Sequence, residues 1–253
     1  MKLSGFQDRT AFVTGAAGGI GRAVVTALRD AGARVYATDL GPELPQDQPQ
    51  FLWRCLDVSD AEAMARAVAD ATRQLGPITL GVHAAGMLDA EPLRRTRADR
   101  YGRVMDVNAG GTFNLLSALG NHMADQRRGA IAVIGSNAAG IPRMNMGAYG
   151  ASKAAAAMLT RCMGLELAEQ GVRCNLVAPG STLTPMQTGM WSDDSGAARV
   201  IAGDPAGFKT GIPLRKLATP EDIARAAMFL LSEEAGHITM ADLYVDGGAT
   251  LRG

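Results

Sequence analysis

At 253 residues the chain is long enough for one large α/β domain or two small ones, with a sizeable core in either case. Its 25 basic and 25 acidic residues cancel to a formal charge of zero, so no basic footprint points to nucleic acid. The three cysteines, Cys55, Cys162 and Cys174, form no CxxC pair and suit buried thiols in a reducing cytosol better than a disulfide framework. The start, MKLSGFQDRTAFVTG, lacks the apolar core of a signal peptide. No apolar run reaches the ~18 residues of a membrane span. A cytoplasmic location without a membrane partner is therefore expected.

RTAFVTG reads as a first strand and IGRAVVTALRDAG as a first helix, with Ile20, Val24 and Leu28 as its inward stripe and Gly32 as its terminator. RVYATD is a second strand followed by a loop, and FLWRCLDV a third, leading into the helical DAEAMARAVADATRQLG. Next come ITLGVHAAG, a helical stretch from about Ala98 to Met123, GAIAVIGS, a helix after Gly147, VRCNLVAPG and a last strand in LYVDGG. Several strands are continuous apolar runs, as expected when both faces of a parallel sheet are covered. The alternation predicts an α/β fold: a single Rossmann-type doubly wound parallel sheet with helices on both faces, as one domain over residues 1–253. Residues 181–213, rich in glycine and proline, break the rhythm and read as a substrate lid within that domain.

The turn VTGAAGGIGRAVV follows the first strand and opens the first helix, with Gly15, Gly19 and Gly21 in G-x-x-x-G-x-G spacing. Glycine permits the tight turn and lets a pyrophosphate reach the backbone N–H groups at the helix N-terminus. The second strand ends at Asp39, where a carboxylate can accept hydrogen bonds from an adenosine ribose. Ala16, Ala17 and Leu40 offer no cation for a 2′-phosphate, which favours NAD over NADP. In GAYGASKAA, Tyr149 and Lys153 stand four residues apart on one helical face. Tyr149 would exchange the proton of an alcohol or ketone oxygen, with its pKa lowered by the charge of Lys153. Ser136, at the C-terminal edge of a strand, would hydrogen-bond the substrate oxygen. Asn108 could hold a water connecting Lys153 to solvent. His83, His122 and His237 are scattered, so no metal site is expected. RRTRADR and Arg127–Arg128 read as solvated faces.

In order along the chain, TGAAGGIG, Asp57–Val58, AAG at Ala84–Gly86, Asn108, Ser136, YGASK and Pro179–Gly180 match the motifs of the short-chain dehydrogenase/reductase family. The sequence resembles that family over essentially its whole length. The resemblance implies hydride transfer with the tetrad Asn108, Ser136, Tyr149 and Lys153, with Lys153 also binding the nicotinamide ribose. It places the cofactor against Gly15, Gly19, Ile20 and Gly21, against Asp39, and against Asp57 and Val58 at the adenine. Further contacts would come from Ala84 and Gly86, from Pro179 and Gly180, and from Thr184 at the carboxamide side. It also implies a homotetramer. His83 departs from the family's usual asparagine, which puts a local strand contact in doubt.

AAGIPRMNMGAYGASKAA, GVRCNLVAPGSTLTPMQTGMW and HITMADLYVDGGATL resemble the branch of this family that oxidises a ring alcohol of a cyclohexadiene carboxylic acid with NAD. Aromatisation of the product favours that direction. The resemblance favours a dihydroxy-substituted acid of siderophore biosynthesis as substrate, with an amino-substituted acid giving 3-hydroxyanthranilate as the alternative. The rivals are a ketone or 3-oxoacyl reductase, whose usual NADPH Asp39 disfavours, and a non-catalytic NAD-binding regulator, against which the intact tetrad argues. A substrate carboxylate needs a cation: Arg143 either fills that role or is a solvated loop residue. Met144, Met146, Met186, Gln187, Met190 and Trp191 could wall a flat ring. Asp193 and Asp194 read as solvated lid residues that could alternatively bind an amine.

Overall fold

The computed structural model describes residues 3–41 and 44–251, so residues 1–2, 42–43 and 252–253 of the expected 1–253 span lie outside the described residues. Seven strands form one sheet: β1 (Thr10–Thr14), β2 (Arg34–Asp39), β3 (Phe51–Cys55), β4 (Ile78–His83), β5 (Gly129–Ile134), β6 (Val172–Pro179) and β7 (Asp242–Val245). They lie in the order β3-β2-β1-β4-β5-β6-β7, and every pairing is parallel. The order reverses between β1 and β4, which opens a crevice at their C-terminal ends where such sheets bind ligands.

Alternating side chains of β1 explain its unbroken apolar character. Ala11 and Val13 face a core shared with α1 (Gly19–Asp30) and α8 (Pro220–Leu231). Phe12 points the other way, stacked on Tyr36 at 5.5 Å, into a core shared with α2 (Ala61–Leu75), α4 (Gly111–Gln126) and α5 (Gly147–Glu166). Helix α8 is locked at its start by a capping box between Thr219 and Asp222, with a proline in its first turn.

Two expectations change in detail. The stretch read as one helix from Ala98 to Met123 is α3 (Ala98–Met105), a π turn at Asp106–Gly110, and α4. The extra residue of the π turn sits where Asn108 must face α5. Residues 181–213 are not wholly irregular: α6 (Pro185–Thr188) and α7 (Gly196–Ala202) lie within them. The cysteines also correct the reading, because only Cys174 is buried while Cys55 and Cys162 are exposed. The apolar run of β6 hides Cys174, whereas Cys55 and Cys162 lie on outward positions of β3 and α5.

Candidate active site

The glycine turn closes over the C-terminal end of β1. Gly15 has φ +64°, and a β-carbon there would lie 2.4 Å from the backbone nitrogen of Ala85, so the turn and the Ala84–Gly86 loop touch backbone to backbone. Ala84 continues the β1–β4 pairing by donating its N–H to the Thr14 carbonyl at 3.0 Å. The N-cap of α1, Gly18, has no capping side chain, so the first-turn N–H groups, among them those of Gly19 and Ile20, remain for an anionic ligand. Gly21 lies buried behind the turn. Asp39 accepts from Ala17 N–H at 2.9 Å through Oδ2 and from Leu40 N–H at 2.8 Å through Oδ1. Asp57 is exposed and accepts from the N–H and hydroxyl of Ser59, which hold its carboxyl below the usual range; Val58 is buried against Gly111. From the far side, Gly180 donates to Val245 O at 3.0 Å just after Pro179 ends β6. The methyl of Thr184, which caps α6, lies close to Gly19. An uncapped helix start, a side-chain-free turn and an acceptor at the end of β2 suit a dinucleotide.

Beside this crevice α5 carries Tyr149 and Lys153. Lys153 is buried, with Nζ 5.9 Å from the centre of the Tyr149 ring, and donates to the Ile134 carbonyl at 3.0 Å. Burial without a carboxylate partner pulls its ammonium down to about 8. Burial raises the Tyr149 phenol, and interaction with the Ser136 hydroxyl partly offsets that. The ammonium is turned toward Ile134 O on the same side of α5 as the Tyr149 ring. Ser136, itself buried just after β5, also accepts from Ala138 N–H at 3.1 Å. Asn108 holds a backbone pair: its Oδ1 accepts from Met87 N–H at 2.8 Å and its Nδ2 donates to Met87 O at 2.9 Å. That Nδ2 also donates to Ser152 Oγ at 2.9 Å, a clamp between π turn and α5 that pattern reading missed. A β-carbon on Gly86 would lie 3.1 Å from Asn108 Oδ1 and 3.3 Å from Lys153 Nζ. Gly86 thus fills the gap between two tetrad members with no side chain.

A cavity of about 600 Å³ adjoins the start of α5, lined by Leu93, Ile141, Arg143, Met144, Met146 and neighbours. It meets α5 on the side of Gly147, Gly150, Ala151 and Ala154, and none of Ser136, Tyr149, Lys153, Gln187 and Trp191 lines it. Trp191 lies over Gly196 within the 181–213 segment, and its buried indole nitrogen has no partner among the described residues. Met186 and Met190 are exposed. Burial lowers the Arg143 guanidinium while the charge of Asp246 raises it, so a carboxylate arriving there would meet a partly desolvated cation. Asp193 accepts from Ser195 and from Arg199 at 2.8 Å and so ties the 181–213 segment to itself.

Some bland readings need correction. Arg100 is not merely solvated; it pairs with the fully buried Asp89 in the loop after β4. His83 keeps a strand contact, since Nδ1 shares a 2.8 Å hydrogen bond with Thr14 Oγ1, while its buried Nε2 has no partner among the described residues. His122 accepts from Ile78 N–H at 3.0 Å, and no metal-holding cluster occurs among the described residues. A cation does reach the adenosine side of the turn: Arg22 donates to Ala17 O at 3.3 Å. No helix of the described residues is long and apolar enough to cross a membrane.

A Rossmann-type sheet, an uncapped glycine turn at its switch point and a Ser–Tyr–Lys group beside it define a nicotinamide-dependent oxidoreductase, and the chain belongs to the short-chain dehydrogenase/reductase family. Residues 15–250 match the family described as enoyl-(acyl carrier protein) reductase. A 2,3-dihydro-2,3-dihydroxybenzoate dehydrogenase of Bacillus subtilis (strain 168) is 46% identical, covering 99% of both chains. A vibriobactin-specific 2,3-dihydro-2,3-dihydroxybenzoate dehydrogenase of Vibrio cholerae is 44% identical over 99% of both. That of Escherichia coli (strain K12) is 42% identical, covering 97% of this chain and 98% of its own. Among solved structures, a short-chain type dehydrogenase/reductase from Mycobacterium ulcerans superposes with a TM-score of 0.88 at 28% identity, covering 98% of this chain and 92% of that one.

Proposed function

We propose that the chain oxidises the ring alcohol of 2,3-dihydro-2,3-dihydroxybenzoate with NAD, yielding 2,3-dihydroxybenzoate for a catecholate siderophore. The observation that carries this reading is identity of 42–46% over essentially the whole chain to three dehydrogenases of that substrate, with Arg143, a half-buried cation just before α5, as the candidate partner of the ring carboxylate.

In this reading NAD, when bound, accepts the hydride. Asp39 would hold its adenosine ribose, Asp57 and Val58 would border the adenine, the turn from Gly15 to Gly21 with Ile20 would hold the pyrophosphate, and Ala84, Gly86, Pro179, Gly180 and Thr184 would hold the nicotinamide end. Ser136 donates its hydroxyl to the reacting substrate oxygen, and Tyr149, as the phenolate that protonated Lys153 steadies, takes the proton from that oxygen and becomes the neutral phenol. Asn108 orders the far side of Lys153. Arg143 pairs with the ring carboxylate, while Met144 and Met146 cover the ring; Gln187 and Trp191 join the wall when the 181–213 lid closes. Asp193 is committed to Ser195 and Arg199, which supports a hydroxyl over an amine on the ring.

The remaining parts of the reading are one domain over 1–253, a cytoplasmic location and a homotetramer. Exposed Phe113 on α4 and Met158 and Leu165 on α5 support the tetramer. The testing experiment compares kcat/KM for the dihydroxy acid and for trans-2,3-dihydro-3-hydroxyanthranilate. The dihydroxy acid is expected to be the better substrate; the reverse order moves the assignment to the anthranilate, and inactivity with both removes the cavity from substrate binding.

A further inference from the structure

Between β4 and the 3₁₀ turn at Leu93–Arg95 the chain follows no regular element, yet it carries Asp89, whose carboxylate is 1% exposed. Oδ1 of that carboxylate accepts from Arg100 Nε, while Oδ2 is buried with no partner among the described residues. Among the described residues Arg100, half exposed on α3, is the one cation paired with this buried charge. Just before Asp89 in the loop, Met87 gives both backbone groups to Asn108, and Gly86 lies against Asn108 Oδ1 and Lys153 Nζ. Just after it, Leu93 rests on Gly147 at the start of α5. Arg100 and Asn108 belong to one helical stretch, α3 running on into the π turn. That stretch grips the loop twice, with a guanidinium at Asp89 and an amide at Met87.

We propose that Arg100 is a positioning residue for the reaction: by pairing with buried Asp89 it holds the loop inward, so that Met87 stays with Asn108 and Gly86 stays against Lys153. The proposal rests on the reading of Asn108, Ser136, Tyr149 and Lys153 as the catalytic group. A buried carboxylate stripped of its cation is far less favourable than the buried pair, because the remaining charge has neither water nor a counter-ion. An irregular loop relieves that penalty most readily by opening outward until the carboxylate is hydrated. Opening pulls Met87 off Asn108, and Asn108 then loses the backbone that fixes it beside Lys153. The influence of Arg100 on turnover therefore passes through Asp89 and Met87, without contact to substrate or cofactor.

The test compares the full-length wild type with Arg100→Ala, Arg100→Lys and the pair Asp89→Asn with Arg100→Ala. Hydrogen–deuterium exchange reads the loop without turnover, and steady-state kinetics with 2,3-dihydro-2,3-dihydroxybenzoate and NAD reads the chemistry. In Arg100→Ala the peptide carrying Met87 should exchange about tenfold faster or more, while α8 stays as protected as in wild type. Its kcat should fall about 10–100-fold, the scale of a small misplacement of catalytic groups, with a smaller change in the Kd for NAD. Arg100→Lys, which keeps a charged donor, should recover part of both losses. The pair leaves a neutral amide where the lone charge stood and should recover most of them. Arg100→Gln, which keeps the stem without the charge, replaces the alanine if that variant does not fold. The proposal is overturned if the pair is no better than Arg100→Ala, or if exchange at Met87 is unchanged. A lower melting temperature with kcat intact makes the ion pair purely structural and overturns it too. A wild type inactive on this substrate would instead remove the catalytic reading, while the exchange arm still decides whether Arg100 holds the loop.

Discussion

Replacing His83 with asparagine should make the protein markedly less sensitive to acid. The imidazole is fully enclosed at the end of β4, and burial, followed by the positive charge of Lys153, lowers its pKa from 6.5 to about 3. In the unfolded chain the same side chain binds its proton near the ordinary value. The unfolded state therefore takes up a proton between pH 6.5 and 3 that the folded state refuses, and stability falls as pH falls through that window. Between pH 8 and pH 5 the loss assigned to His83 is about 2 kcal/mol, from 1.36 kcal/mol for each unit of the 1.5 below 6.5. The asparagine of the variant would not titrate, and its amide can keep a hydrogen bond to Thr14. Urea unfolding at the two pH values, followed by the fluorescence of Trp53 and Trp191, gives the difference directly. The other histidine with a lowered pKa, His122, is present in both proteins and cancels. If wild type and His83→Asn lose the same stability between pH 8 and pH 5, the imidazole is not buried neutral and the reasoning fails.

Tyr149→Phe should reduce kcat by roughly 10²–10⁴-fold, the range of a lost acid–base group, while NAD still binds; steady-state rates with a parallel nucleotide titration separate the two effects, and near-normal turnover would remove Tyr149 from the chemistry. Arg143→Ala should lower kcat/KM for the ring acid by about 10–150-fold, the equivalent of a charge-assisted contact of ~1.5–3 kcal/mol. The same substitution should leave thermal stability largely intact, and unchanged kinetics would return Arg143 to the solvated loop. Gly86→Ala places a methyl 3.1 Å from Asn108 Oδ1, so it should depress kcat more than it shifts the melting temperature; a stability loss without a kinetic one would show that the gap is structural.

The features that pattern reading found are those built from neighbours in the chain. Gly15 to Gly21 form one turn, Asp39 ends the adjacent strand, and Tyr149 and Lys153 share a helix face, so local spacing is enough to place them. What it missed depends on segments that meet only after folding. Lys153 donates to Ile134, 19 residues away, and that bond sets where its charge points. Asn108 reaches Ser152, 44 residues on, through a π turn that no hydrophobic period announces. Asp89 looks like a loop acid until Arg100 closes over it, and Cys162 looks like a core thiol until the packing of α5 turns it outward. Arg22 could have been found, since a helix residue four positions after a glycine N-cap leans over it.

The most direct test supplies purified protein with 2,3-dihydro-2,3-dihydroxybenzoate and NAD and follows NADH absorbance together with the aromatic product by chromatography. One NADH should appear for each 2,3-dihydroxybenzoate formed, with NADP a far poorer acceptor than NAD. Absence of the aromatic product, or a clear preference for NADP, would contradict the account.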